Sequence, residues 1–172
     1  MPPRRASSSR LLVPLVALLA GGCGYTLSSV LPSHIKTLAV PVFANSTVEF
    51  GLADDVTRAV QDAFQADARL RIVGERQADS VLRGTVVSYR NQPFSYTREE
   101  RPTQYEIVLT VKALFRDLVK NHDLWKEDAL TVRTTYNVVP VGAAPAKTEV
   151  EARLELVKSL ADQIVSRTVQ GW

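Results

Sequence analysis

The sequence contains one nucleophilic thiol, Cys23, which is the only cysteine in the chain. It follows Leu19-Ala20-Gly21-Gly22, small residues that let an extended backbone enter a peptidase groove. Upstream, Arg4, Arg5 and Arg10 are the only charges, and Leu11 to Ala20 is an apolar run. A basic start, a short apolar stretch and small residues before a cut mark an export signal. The run is shorter than the roughly 20 apolar residues that span a bilayer. A lone cysteine in an exported chain has no disulfide partner, which leaves its sulfur for another chemistry.

No other constellation reads as catalytic. The two histidines, His34 and His122, stand before a predicted strand and in a predicted hairpin turn, and both read as surface residues. Neither a GxSxG, an HExxH nor a glycine-rich phosphate loop occurs. Asp54-Asp55 and Glu99-Glu100 are adjacent carboxylates. Neighbours in sequence point apart, so a solvated face explains them better than an acid/base pair. The chain is expected to be no enzyme and to hold no metal.

The segment Arg90 to Thr103 stands out. It carries Phe94 and Tyr96, then Arg98 and Arg101, and is long for a hairpin loop, usually about 2–5 residues. Part of it is expected to extend the flanking strands, which puts Arg98 near the tip. An arginine fork pairs well with phosphate oxygens, and the aromatics suit acyl chains or partner side chains. The competing reading is an exposed loop neutralised by Glu99 and Glu100. Lys147 is a second exposed cation with the same alternative. Tyr89, Phe94, Tyr96 and Trp125 are candidate contact residues, with core packing preferred for Trp125.

These residues need a scaffold. Gly24 to Ser33 reads as a tether. Ile35 to Phe43 is a predicted strand, followed by a turn at Asn45-Ser46-Thr47. Gly51 to Asp67 is a helix with Leu52, Val56, Ala59, Val60, Ala63 and Phe64 on one face. Leu70 to Val73 and Ser80 to Tyr89 are strands. Tyr105 to Phe115 alternates apolar and polar residues, as a half-buried antiparallel strand does. After a turn at Lys120-Asn121, Leu124 to Tyr136 is the last strand. Thr148 to Val169 is a helix opened by a Thr148/Glu151 capping box, with an apolar stripe through Val150, Leu154, Val157, Ala161, Ile164, Val165 and Thr168. The order predicts an α+β fold with two helices on one face of a four-stranded, mixed but mostly antiparallel sheet. The 172 residues divide into a signal at 1–22, a tether at 23–33 and one domain at 34–172. Without the three signal arginines, 18 of the 21 Lys and Arg face 18 Asp and Glu. The mature chain is formally neutral, so the basic pI is no argument for nucleic acid.

Leu19-Ala20-Gly21-Gly22-Cys23 resembles the lipobox of bacterial lipoproteins. Ala20 stands where that family most often has Leu. The resemblance implies diacylglycerol on Cys23, cleavage before it and N-acylation of the new amine. Two or more acyl chains anchor a protein stably. Gly24, where Asp would retain a lipoprotein at the inner membrane, points to the outer membrane.

The mature chain also resembles the LptE family of lipopolysaccharide-assembly lipoproteins. The resemblance is carried by Gly22-Cys23-Gly24-Tyr25-Thr26-Leu27, Ile35-Lys36-Thr37-Leu38-Ala39-Val40-Pro41-Val42-Phe43-Ala44-Asn45, Ala78 to Tyr89, Gln104 to Val111, Leu124-Trp125 and the closing Gly171-Trp172. It implies a monomer seated one-to-one in the lumen of an LptD-type β-barrel, facing the periplasm, assisting barrel assembly and lipopolysaccharide delivery. It also implies lipopolysaccharide contacts near Arg98, with Arg101 beside it, and Lys147. The alternative is an envelope scaffold or secretion-channel lipoprotein forming homo-oligomers, whose strand and turn at Ala39 to Asn45 are similar.

Overall fold

The computed structural model describes residues 31–140, 142 and 145–170. Cys23, the signal, most of the tether and Gly171-Trp172 lie outside the described residues. In chain order the elements are β1 (Thr37–Ala39), β2 (Ala44–Asn45), α1 (Leu52–Asp67), β3 (Arg71–Ile72), a 3₁₀ turn (Glu75–Gln77), β4 (Ser80–Tyr96), β5 (Pro102–Asp117), β6 (His122–Asn137) and α2 (Glu149–Val169). The sheet runs β3-β1-β4-β5-β6, with β2 beside β4. β4, β5 and β6 form an antiparallel meander, while β1, β2 and β3 add parallel pairings. This is the expected α+β fold with two helices against a mixed, mostly antiparallel sheet.

Six strands replace the expected four, for two reasons: the short segment at Leu70 to Val73 joins the sheet as β3 beside β1, and the first predicted strand is split in two. The predicted strand Ile35 to Phe43 is interrupted, because Pro41 has no N–H for a ladder. β1 therefore ends at Ala39, and β2 resumes alongside β4 at Thr85 and Val86. Asn45 closes β2 and opens the expected turn, its side chain accepting from Thr47 N at 2.9 Å. Gly84 is required beside this break. A β-carbon there would overlap the Phe43 ring, which is itself in the core at 3% exposure.

The core lies between the sheet and the helices. Ile107, Leu109, Val111, Ala113 and Phe115 alternate on β5 and are at most 1% exposed. α1 adds Leu52, Val56, Val60 and Phe64, all fully buried. α2 starts at the predicted capping box: Thr148 Oγ1 accepts from Glu151 N, and Glu151 accepts from Thr148 N at 2.7 Å. Its stripe needs one correction. Val157, Ala161, Ile164, Val165 and Thr168 are buried, but Val150 and Leu154 are each 54% exposed.

The two helices run parallel: Arg153 meets Asp55 near their starts, and Arg69 donates to the Val169 carbonyl near their ends. The molecule thus has a base and a tip. Ser80, Asp117 and His122 meet at the base through the β4–β5–β6 register, and Thr97 to Arg101 turn the β4–β5 hairpin at the tip. At about 3.3 Å per residue, β5 alone spans about 50 Å between them.

Candidate binding surface at the hairpin end

The base is closed by polar pairing. Asp79 accepts from Lys36 N, Thr37 N and the Thr37 hydroxyl at 3.0, 3.0 and 2.8 Å. Those donors, Lys36 N–H foremost, hold its carboxyl below the ordinary 3.8 against the opposing effect of burial. Asp117, fully buried, accepts from Val119 N, Lys120 N and the His34 ring at 2.8, 2.9 and 2.7 Å. Burial pushes its carboxyl up, but the Lys120 N–H, His34 and the Val119 N–H outweigh that and lower it. His34 is therefore no free surface residue, because it fastens the start of the domain to the end of β5. His122 opens β6 and approaches the same carboxylate at 3.8 Å, but is half-exposed. Pro32 accepts from Ile35 N, and Leu31 packs against the core, so the end of the expected tether already belongs to the fold.

The tip differs. Most of the expected Arg90 to Thr103 loop is strand: β4 runs to Tyr96 and β5 starts at Pro102. The reason is the long register with β5, which continues to Tyr96↔Pro102 through irregularities that absorb Phe94 and Thr103. Only the turn remains. The Thr97 hydroxyl accepts from Glu99 N and Arg101 N, Thr97 N donates to the Arg101 carbonyl, and Glu100 takes a positive φ of 61°. Arg98 thus stands at the tip beside Arg101. Both are exposed, and neither has an acidic partner among the described residues.

Phe94 and Tyr96 are each 57% exposed on this arm. Tyr89 is not: it packs on the core and its hydroxyl donates to Glu149 at 2.8 Å. Burial first, and then the Glu149 carboxylate, raise its pKa far above the ordinary 10.0. Lys147 N donates to the Asn137 carbonyl at 2.7 Å, and Asn137 pairs with Gln104, close to the turn. The register therefore brings Lys147 to the same end as Arg98 and Arg101. Its ammonium is engaged by both Glu155 oxygens, at 2.7 and 2.9 Å.

The sequence reading missed the other apolar residues here. Val48 and Phe50, before α1, are 88% and 97% exposed, and Val138, Val139, Val150 and Leu154 are also exposed. The helix starts and the β6 end place them toward the tip. Phe50 just before Gly51, which takes φ 74°, was the available signal. Trp125 instead packs at the base against Phe115, ring centroids 6.2 Å apart. Among the described residues, the tip half thus combines guanidinium groups lacking acidic partners with exposed aromatic and aliphatic side chains. That chemistry suits an amphipathic anion. Among the described residues no His, Cys, Asp and Glu group forms a metal cluster.

The family pattern described as LptE: Lipopolysaccharide-assembly matches residues 35–168. No curated protein matches the chain. Among solved structures, the chain is similar to a PelC dodecamer variant from Paraburkholderia phytofirmans, with 16% identity, 78% of this chain and 88% of that one covered, and a TM-score of 0.52. It is similar to a minor lipoprotein from Acinetobacter baumannii, with 19% identity, 80% and 92% covered, and a TM-score of 0.50. It is also similar to the hypothetical protein CT253 from Chlamydia trachomatis, with 8% identity, 77% and 95% covered, and a TM-score of 0.52. At these identities the likeness is one of fold.

Proposed function

The chain belongs to the LptE family of lipopolysaccharide-assembly proteins, and from that premise we propose that it is an outer-membrane lipoprotein that seats in an LptD-type β-barrel. In this reading the precursor is cut before Cys23, which carries diacylglycerol and an N-acyl chain. The tether runs from Cys23 to the point where Leu31 and Pro32 join the fold, and the remainder is the single working domain. The protein is no enzyme. It assists barrel assembly as a one-to-one partner, faces the periplasm and the barrel lumen, and hands lipopolysaccharide toward the outer leaflet. Arg98, Arg101 and Lys147 meet its phosphates, and Phe94 and Tyr96 contact acyl chains or the barrel.

The observation that carries this reading is the asymmetry of the arm. Arg98 and Arg101 lack acidic partners among the described residues, beside two half-exposed aromatics, on a hairpin held far from the base. A charge-assisted hydrogen bond to phosphate contributes about 1.5–3 kcal/mol. Arg98→Glu is therefore expected to weaken lipopolysaccharide binding by about tenfold or more with an unchanged unfolding midpoint. Equal affinities would remove Arg98 from the site. Purifying the lipidated protein with its envelope partners in detergent tests the barrel assignment. A stoichiometric large β-barrel supports it, whereas a ring of identical copies would replace it with the scaffold reading.

A further inference from the structure

The sheet has a second face, away from the helices. On the strands, residues paired across the ladder share a face and alternate along it. Since Leu109 and Ile107 face the core, the opposite face carries Val108 and the residues paired with it, Arg90 on β4 and Arg133 on β6. Among the described residues only the 3₁₀ turn crosses this face, at the base, where Arg83 meets Glu75 and the Thr37 hydroxyl meets the Gln77 carbonyl.

β4, β5 and β6 place six cations here: Arg83, Arg90, Lys112, Arg116, Lys126 and Arg133. Four are engaged by three carboxylates within the fold. Arg83 meets Glu75, Lys112 and Lys126 share Asp128 at 3.1 and 3.2 Å, and Arg116 holds Asp123 at 2.9 Å. Arg90 and Arg133 are exposed, and neither has an acidic partner among the described residues. Val108 between them is only 7% exposed although no other element covers it. The side chains directly across the ladder from it are Arg90 and Arg133, and long arginine stems lie readily along an apolar neighbour while the charged heads stay in solvent. Their Cα atoms stand two strand spacings apart, about 10 Å.

The next row toward the base is hydroxylic: Ser88, Thr110 and Thr131, with the two threonine oxygens 3.1 Å apart. The next row toward the tip holds the neighbouring carboxylate, Glu106, which accepts from Gln92 at 3.4 Å. Two guanidinium groups against one carboxylate leave a net positive patch with flanking hydroxyl donors.

We propose that Arg90 and Arg133 form a phosphate-binding site on the open face of the sheet, taking a phosphorylated sugar headgroup across Val108. Paired arginine forks and hydroxyl donors are the groups that recognise phosphate on a saccharide. A lasting protein contact needs aromatic or apolar anchors at its centre. This patch offers no aromatic and no cluster of apolar side chains: Val108 is 7% exposed, and the exposed Val87 beside Ser88 stands as a single aliphatic group. The site is distinct from the hairpin turn and extends the anion-binding surface from the tip toward the middle of the sheet. As for the source of the phosphate, the proposal rests on the glycolipid reading above.

The test uses the full lipidated protein in detergent, with lipopolysaccharide, the same material after enzymatic removal of its phosphates, and inorganic phosphate as probes. The variant is Arg90→Gln/Arg133→Gln, with Arg90→Lys/Arg133→Lys as the conservative control. The double glutamine variant is expected to bind lipopolysaccharide at least about tenfold more weakly. The lysine control should recover only part of the loss, and the dephosphorylated material should not distinguish variant from wild type. Unchanged affinity in the glutamine variant overturns the site while the tip reading stands. If the wild type binds no lipopolysaccharide, the glycolipid reading fails by itself. Inorganic phosphate then decides: shifts in the Val108 and Thr110 amide resonances, absent in the variant, support a free-phosphate site, and no shifts overturn it. Loss of a protein partner with phosphate response unchanged also overturns it, in favour of a protein contact.

Discussion

The base and the tip are built from the same three strands and treat their polar groups in opposite ways. At the base, Asp79 and Asp117 each gather three donors within 3.0 Å, and the aromatics Phe115 and Trp125 pack together. At the tip, Arg98 and Arg101 stand without acidic partners among the described residues, and Phe94 and Tyr96 are more exposed than buried. The base half is organised to hold a fold, and the tip half to meet something else. Buried polar groups satisfied within the chain specify a structure, whereas a cluster of exposed aromatic and aliphatic groups marks an interaction surface; the base turn exposes the single Val119.

Two phenylalanines give the sharpest contrast. Phe115→Ala opens the core at a residue 1% exposed and should lower the unfolding free energy by about 3–5 kcal/mol. Phe94→Ala should change it by about 0.5 kcal/mol or less, and its effect should appear in ligand or partner affinity. Equal losses in denaturant melts would break the distinction. Next in size is Gly84→Ala, which forces its methyl against the Phe43 ring and should destabilise by about 1–3 kcal/mol. Acid gives a third test. Asp79 and Asp117 both titrate below the ordinary 3.8 in the folded chain. Their contribution is therefore complete above the unfolded value and is lost as pH falls through the folded value. Stability should fall below about pH 4. Asp117→Asn should be less stable at neutral pH and respond less to acid. The smallest effect belongs to Glu155→Ala. An exposed pair such as Lys147–Glu155 contributes about 0–1 kcal/mol, so stability should barely move, while the freed Lys147 should tighten anion binding.

Much of the scaffold was legible because its signals are local. The alternation from Tyr105 to Phe115 and the Thr148/Glu151 box each lie within one element, and both are present in the structure. The arm was less legible. Pro93, Pro102 and the charged run Arg98 to Arg101 read as loop, yet the ladder with β5 carries the strand through Pro93. His34 was misread because its partner Asp117 lies 83 residues away. The exposure of Val150 and Leu154 was invisible for a related reason. Periodicity gives the stripe on a helix but not where the neighbouring layer ends. The pairing of Arg90 and Arg133 across Val108 depends on register, which no single strand encodes.

The meander closes through neighbours in sequence, whereas β1 waits for partners that are made later. Its Thr37 is fixed by Asp79, 42 residues downstream, and His34 by Asp117, further still. Contacts of long sequence separation form after local ones, because loop closure must precede them. His34 and Thr37 thus carry a larger loop-closure cost than any ladder pair inside the meander. β3 gives β1 one edge to pair with. But the hydrogen bonds that lock His34 and Thr37 are complete only when Asp79 and Asp117 are in place, so the anchoring of these first residues reports whether the base of the meander has formed.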